Sequence, residues 1–162
     1  VKTLYILRHG KAVSDEEAAT DHARDLTGRG RRDAARAGAE LTRRGSRLPS
    51  LVVASTALRA KHTAELCVRE LANAPPIELT DELYLASAER YLTELAARGA
   101  DHEAVMLVGH NPGLEALVAR LTAYSEHLPT AALVEVELPI EAWTGAAQLP
   151  PRAGRLVQVW EP

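Results

Sequence analysis

Three short apolar runs, Thr3–Leu7, Leu51–Ala54 and Ala104–Val108, constrain this chain more than any other feature. None of them alternates apolar with polar residues, so each reads as a strand covered on both faces. Helical patterns separate them. A parallel strand needs a long crossover, and a helix supplies it, so the pattern predicts an α/β fold with a largely parallel sheet.

The helices announce themselves by their ends. Thr27 is placed to cap a helix over Gly28–Arg44, with Ala35, Ala39 and Leu41 as its packing face and Gly45 as its stop signal. A second helix is expected from Thr56 to about Leu71, with Leu58, Ala64, Leu66 and Leu71 turned to the core, before Pro75-Pro76 forbids continuation. Ile77–Leu79 reads as a brief strand, and Ala86–Arg98 and Leu114–Leu121 as further helices. Leu133–Leu138 alternates apolar with acidic residues, which predicts a strand with one solvated face. Arg155–Trp160 is the last strand expected. No repeat, low-complexity tract or long linker interrupts the order, so residues 1–162 are read as one domain.

Charge excludes some partners. With 19 basic and 22 acidic residues the formal charge is −3, which gives no footprint for nucleic acid or a membrane surface. The single cysteine, Cys67, rules out an internal disulfide framework and reads as a small buried apolar residue. The apolar run after Lys2 is too short for a secretory signal, and no stretch approaches a membrane span, so a reducing cytoplasm is the expected compartment.

The chemistry sits where the apolar runs stop. The first ends in Arg8-His9-Gly10, the second in Ser55 with Arg59 shortly after, the third in Gly109-His110-Asn111. In open α/β sheets, ligands collect outside the carboxyl ends of the strands. If these strands are parallel neighbours, two arginines and two histidines converge on one crevice. Guanidinium forks match phosphate oxygens, and histidine can act as nucleophile or acid–base group. Together they describe a site for in-line phosphoryl transfer, driven by positioning and electrostatic stabilisation. A zinc site would need three protein ligands, and flanking arginines would repel the cation, so no metal or other cofactor is expected.

Four segments, "LYILRHGKA", "DHARDLTGRGRRDAARAG", "SLVVASTALRAKHTAEL" and "MLVGHNPGLEAL", occur in this order. On these the chain resembles the histidine phosphatase superfamily, specifically its small SixA-type phosphohistidine phosphatases. The resemblance implies a phosphoglycerate mutase-like fold, a three-layer α/β/α sandwich around a largely parallel sheet. It implies His9 as the nucleophile that forms a phosphohistidine intermediate, Arg8 and Arg59 as binders of the phosphoryl oxygens, and His110 as a donor to the same group. Arg24, in the segment "DHARDLTGRG", would line the pocket; Asp25 stands where relatives carry proline, so the loop differs there. Larger relatives protonate the leaving group with a carboxyl group, for which Asp81 and Glu82 are candidates and Glu78 a more distant one. A phosphoramidate substrate needs such an acid less. The implied substrate is phosphohistidine on a protein, such as a phosphotransfer domain in a signalling relay. A small phosphorylated metabolite and a phosphate-binding module without turnover are the alternatives. Of the remaining histidines, His22 is expected to be exposed in the polar loop, with a place at the edge of the pocket as the alternative, and His62 to lie on the outer face of its helix.

Overall fold

The computed structural model describes residues 1–45 and 47–162. Six strands, β1 (Lys2–Arg8), β2 (Leu51–Ser55), β3 (Ile77–Thr80), β4 (Ala104–Gly109), β5 (Leu133–Leu138) and β6 (Arg155–Trp160), form one sheet in the order β3-β2-β4-β1-β5-β6. The first four run parallel and only β5 runs against them. The helices are α1 (Gly28–Arg44), α2 (Leu58–Val68), α3 (Ala88–Arg98) and α4 (Gly113–Leu121).

The unbroken apolar runs serve two cores. Successive strand residues point to opposite faces, so Leu4, Ile6, Val53 and Leu107 join α3 and α4 on one side. Tyr5, Leu7, Val52 and Met106 meet α1 and α2 on the other. The result is the three-layer α/β/α sandwich with a largely parallel centre.

Local chemistry sets the helix ends. Thr27 Oγ1 accepts the Gly30 N–H at 3.0 Å and starts α1, and Gly45 ends it with a φ of 63° that disfavours other residues. Two expected packing faces are shifted. On α1 the buried small residues are Ala34, Ala37 and Gly38, while Ala35 is half-buried and Ala39 exposed. On α2 they are Ala60, Thr63, Ala64 and Cys67, with Leu58 and Leu66 only half-buried. Burial pushes the Cys67 thiol up to about 12, as befits an inert core residue.

The alternation in β5 misleads more instructively. Glu135 is buried, because Arg44 at the end of α1 reaches over the sheet to bond it at 3.1 Å while also holding Glu40. Glu135 is covered by a cation rather than by water, while Glu137 on the same face stays partly exposed. Among the described residues, no helix is long and apolar enough to cross a membrane.

Candidate active site

Strand order brings the polar ends together. β4 lies between β1 and β2, with Arg8 opposite Gly109 and Ala54 opposite Val108, so the residues that follow emerge side by side. The ring centroids of His9 and His110 are 5.2 Å apart. Arg59 enters from the first turn of α2 and is 4% exposed. Arg8, Arg24 and Arg59 all lie close enough to His9 to depress its pKa.

His9 is held in one orientation. Its Nδ1–H donates to the Gly10 carbonyl at 2.8 Å, which leaves Nε2 with its lone pair. Burial first, then the three arginines, lower its pKa to about 4, so the ring is neutral at pH 7. The turn beneath it is built by close approach: a Cβ on Gly10 would stand 2.5 Å from the Gly30 carbonyl oxygen, and one on Gly30 2.2 Å from that of Lys11. Thr63 then ties the turn to α2. Its Oγ1 accepts the Gly10 N–H at 3.0 Å and donates to the Arg59 carbonyl at 2.7 Å. One buried hydroxyl thereby fixes the His9 turn relative to the helix that carries Arg59.

His110 is fixed from β2. Ser55 Oγ accepts the Ala57 N–H at 3.2 Å and lies 2.9 Å from His110 Nε2. When the Ser55 hydroxyl donates to Nε2, the ring hydrogen lies on Nδ1, which is buried without a partner among the described residues, as is Nε of Arg8. Burial, then neighbouring His9 and Arg59, push His110 down to about 3, so the ring is neutral at pH 7. A buried guanidinium N–H without an acceptor is costly until an anion satisfies it.

A carboxylate organises the cations. The Asp21 carbonyl accepts from Arg59 Nη1 at 2.7 Å and its Oδ2 from Nη2 at 3.1 Å, while Oδ1 accepts from Arg24 Nη1 at 2.9 Å. The Tyr84 hydroxyl donates to the same Oδ2 at 2.5 Å. Tyr84 and then the guanidiniums hold the Asp21 carboxyl far below the usual carboxylate range, and the bond raises the Tyr84 hydroxyl in turn. A guanidinium has five donors, so this grip does not exhaust Arg59.

The structure thus brings Arg8, His9, Arg24, Arg59 and His110 together at the carboxyl end of the sheet. It separates the acid candidates. Asp81 accepts from Thr56 at the rim, whereas Glu82 pairs with Arg90 on α3 at 3.3 Å and Glu78 with Arg98 at 3.5 Å. His22 departs from its expected exposure: it is half-buried at the rim, 2.9 Å from Thr56 Oγ1 and edge-on to Tyr84. His62 is also half-buried, bonded to Asp25 at 2.6 Å. Sequence reasoning assigned no role to Asp21, Ser55, Thr63 or Tyr84. Asp21, Ser55 and Thr63 lie inside segments that carry the resemblance, and that position was the available signal; Tyr84 lies outside all four.

Comparison with known proteins bears on the family and the fold. The family model of the histidine phosphatase superfamily (branch 1) matches residues 4–84. An uncharacterised protein of Mycobacterium leprae is 28% identical over 138 residues, 82% of this chain and 81% of that one. The candidate phosphohistidine phosphatase SixA of Nakamurella multipartitia superposes with a TM-score of 0.85 at 28% identity, over 99% of this chain and 96% of the other. Its counterpart from Agrobacterium tumefaciens gives 0.80 at 28% identity, over 99% of both. With half its length matched by the family model and nearly all of it superposed on SixA-type structures, the chain belongs to the histidine phosphatase superfamily, branch 1.

Proposed function

We propose that this protein is a metal-independent phosphatase acting by double displacement through phosphorylated His9, with phosphohistidine on a protein, such as a phosphotransfer domain of a signalling relay, as its substrate. One observation carries the reading: the bond from His9 Nδ1 to the Gly10 carbonyl at 2.8 Å, which leaves Nε2 as a neutral nucleophile beside arginines. The SixA-type neighbours support the choice of substrate.

The steps balance without a resident acid. Substrate phosphohistidine carries a proton on its other ring nitrogen. His9 Nε2 forms a bond to phosphorus as the substrate P–N bond breaks, and the leaving imidazole departs neutral. His9 becomes a phosphorylated imidazolium, whose positive charge strengthens the bond from Nδ1–H to Gly10. Arg8 and Arg59 hold the equatorial oxygens, His110 Nδ1–H donates to them, and Arg24 lines the pocket. Water then attacks phosphorus, the P–N bond returns its electrons to Nε2, and dihydrogen phosphate leaves with both protons of the water. An oxygen ester would need a proton for its alkoxide, and Asp81 at the rim is the candidate donor.

The test is hydrolysis of a phosphohistidine protein and of an aryl phosphate in excess chelator, with wild type and His9→Ala. Activity that survives chelator, prefers phosphohistidine and disappears in the variant is expected. Full activity in His9→Ala overturns the mechanism, and preference for the aryl ester overturns the substrate.

A further inference from the structure

A line of rings runs outward from His9. His22 lies 4.9 Å from Tyr84 at 81°, Tyr84 lies 5.6 Å from His110 at 79°, and His110 lies 5.2 Å from His9. In a chain with no phenylalanine and four tyrosines, four rings in a row from rim to His9 are not core filling. Tyr5 and Tyr91 are fully buried, whereas Tyr84 is half-exposed at the mouth. Its placement is firm. It follows the turn Asp81–Leu83, whose Leu83 is buried, its N–H bonds the Asp81 carbonyl at 3.0 Å, and its hydroxyl is anchored on Asp21.

Perpendicular rings leave an angle between them that another flat ring fills by the same edge-to-face contact. A tetrahedral alcohol carbon fills it poorly. A leaving group must occupy the mouth of the site, on the far side of phosphorus from His9, because displacement is in line.

We infer that Tyr84, backed by His22, forms an aromatic wall that selects a planar imidazole as leaving group. The inference rests on the phosphatase reading above and deepens it: the wall recognises the ring of the substrate histidine, while Arg8 and Arg59 recognise only phosphate. The hydroxyl and the ring of Tyr84 then have separable tasks. The hydroxyl steadies Asp21 and through it Arg59, which serves every substrate. The ring serves planar leaving groups only.

Two small P–N substrates separate these tasks. Phosphoimidazole has a planar leaving group and phosphoramidate does not. The readout is the ratio of their kcat/KM values, in which any general loss of activity cancels. Tyr84→Phe keeps the ring, so both values fall and the ratio stays. Tyr84→Leu removes the ring, and the ratio falls by about 3- to 10-fold, the scale of one aromatic contact. His22→Ala lowers the ratio in the same direction by less. An unchanged ratio in Tyr84→Leu and His22→Ala overturns the inference alone, as does a fall of the ratio in Tyr84→Phe as large as that in Tyr84→Leu. Turnover of neither substrate by wild type, or of both by His9→Ala, overturns the phosphatase reading and the inference with it.

Discussion

The sheet carries a serine–histidine pair at each end. At the carboxyl end Ser55, last in β2, bonds His110 just past β4 at 2.9 Å. At the amino end Ser50, just before β2, bonds His102 just before β4 at 2.7 Å. The two pairs share residue types and strands, yet their surroundings differ. Helices α1, α2 and α4 begin at the carboxyl end and present amide hydrogens there, and Arg8 and Arg59 flank the pair. At the amino end α1 and α3 finish, and Lys2 and Arg47 are occupied by Glu103. The His102 ring also sits where its own backbone is pinned, since Trp143 Nε1 donates to its carbonyl at 2.6 Å. Anion chemistry therefore comes from the polarity of the helices and the placement of cations, with the histidine as a shared part.

The comparison breaks first if the two ends respond alike. His9→Ala should lower kcat by more than about 1,000-fold, as loss of a nucleophile does, while His102→Ala should stay within about 3-fold. Steady-state kinetics on one substrate measures both.

Acid sharpens it next. His9 and His110 titrate near 4 and 3, below the 6.5 of a free imidazole. The unfolded chain then binds protons that the folded chain refuses, so their cost is absent above pH 6.5 and grows as pH falls toward 4. The loss is at most about 3 kcal/mol per ring over that interval. Urea unfolding from pH 7 to 4.5 should show a shallower decline for His110→Gln than for wild type; parallel declines would count against these buried rings as its source.

Two glycines make a smaller contrast. Gly10→Ala sets a methyl against the Gly30 carbonyl, which has no flexible side chain to yield. It should cost about 2 kcal/mol and displace His9. Gly45 at the amino end has open space but a φ of 63°, so Gly45→Ala should cost about 1 kcal/mol and leave activity intact. The smallest effect concerns threonines. Thr63→Val removes the bridge between Gly10 and Arg59 and should cost about 1 kcal/mol together with activity, restored by Thr63→Ser. Thr42, whose hydroxyl meets the Glu70 carbonyl at an exposed helix end, should tolerate valine within about 0.5 kcal/mol.

These contrasts also mark how far the sequence can be read. Apolar runs that lack alternation were enough to foretell strands buried on both faces, and Thr27 and Gly45 gave the ends of α1 because capping is local chemistry. The phase of α1 was harder, since Ala34, Ala35, Ala37 and Ala39 look alike until the sheet chooses among them. Glu135 looked solvated because nothing nearby in the chain tells of Arg44, 91 positions away. The same limit applies at the site. Arg8, His9, Arg59 and His110 stand at strand and helix ends, where topology alone gathers them. Asp21 and Tyr84, 63 positions apart, matter through one hydrogen bond that no local pattern encodes.

Asp21 also bears on how substrate arrives. Three guanidiniums round a pocket would attract a doubly charged phosphoryl group from a distance and speed its encounter. In this protein the carboxylate already sits among two of them, on a chain of net charge −3. The field reaching out beyond a Debye length, about 8 Å in physiological salt, is correspondingly small. Capture then depends on direct collision and fit at the mouth, and association should depend only weakly on ionic strength. Under the proposed substrate, such a site would give up speed toward free phosphates in solution and keep its arginines for a group presented at close range.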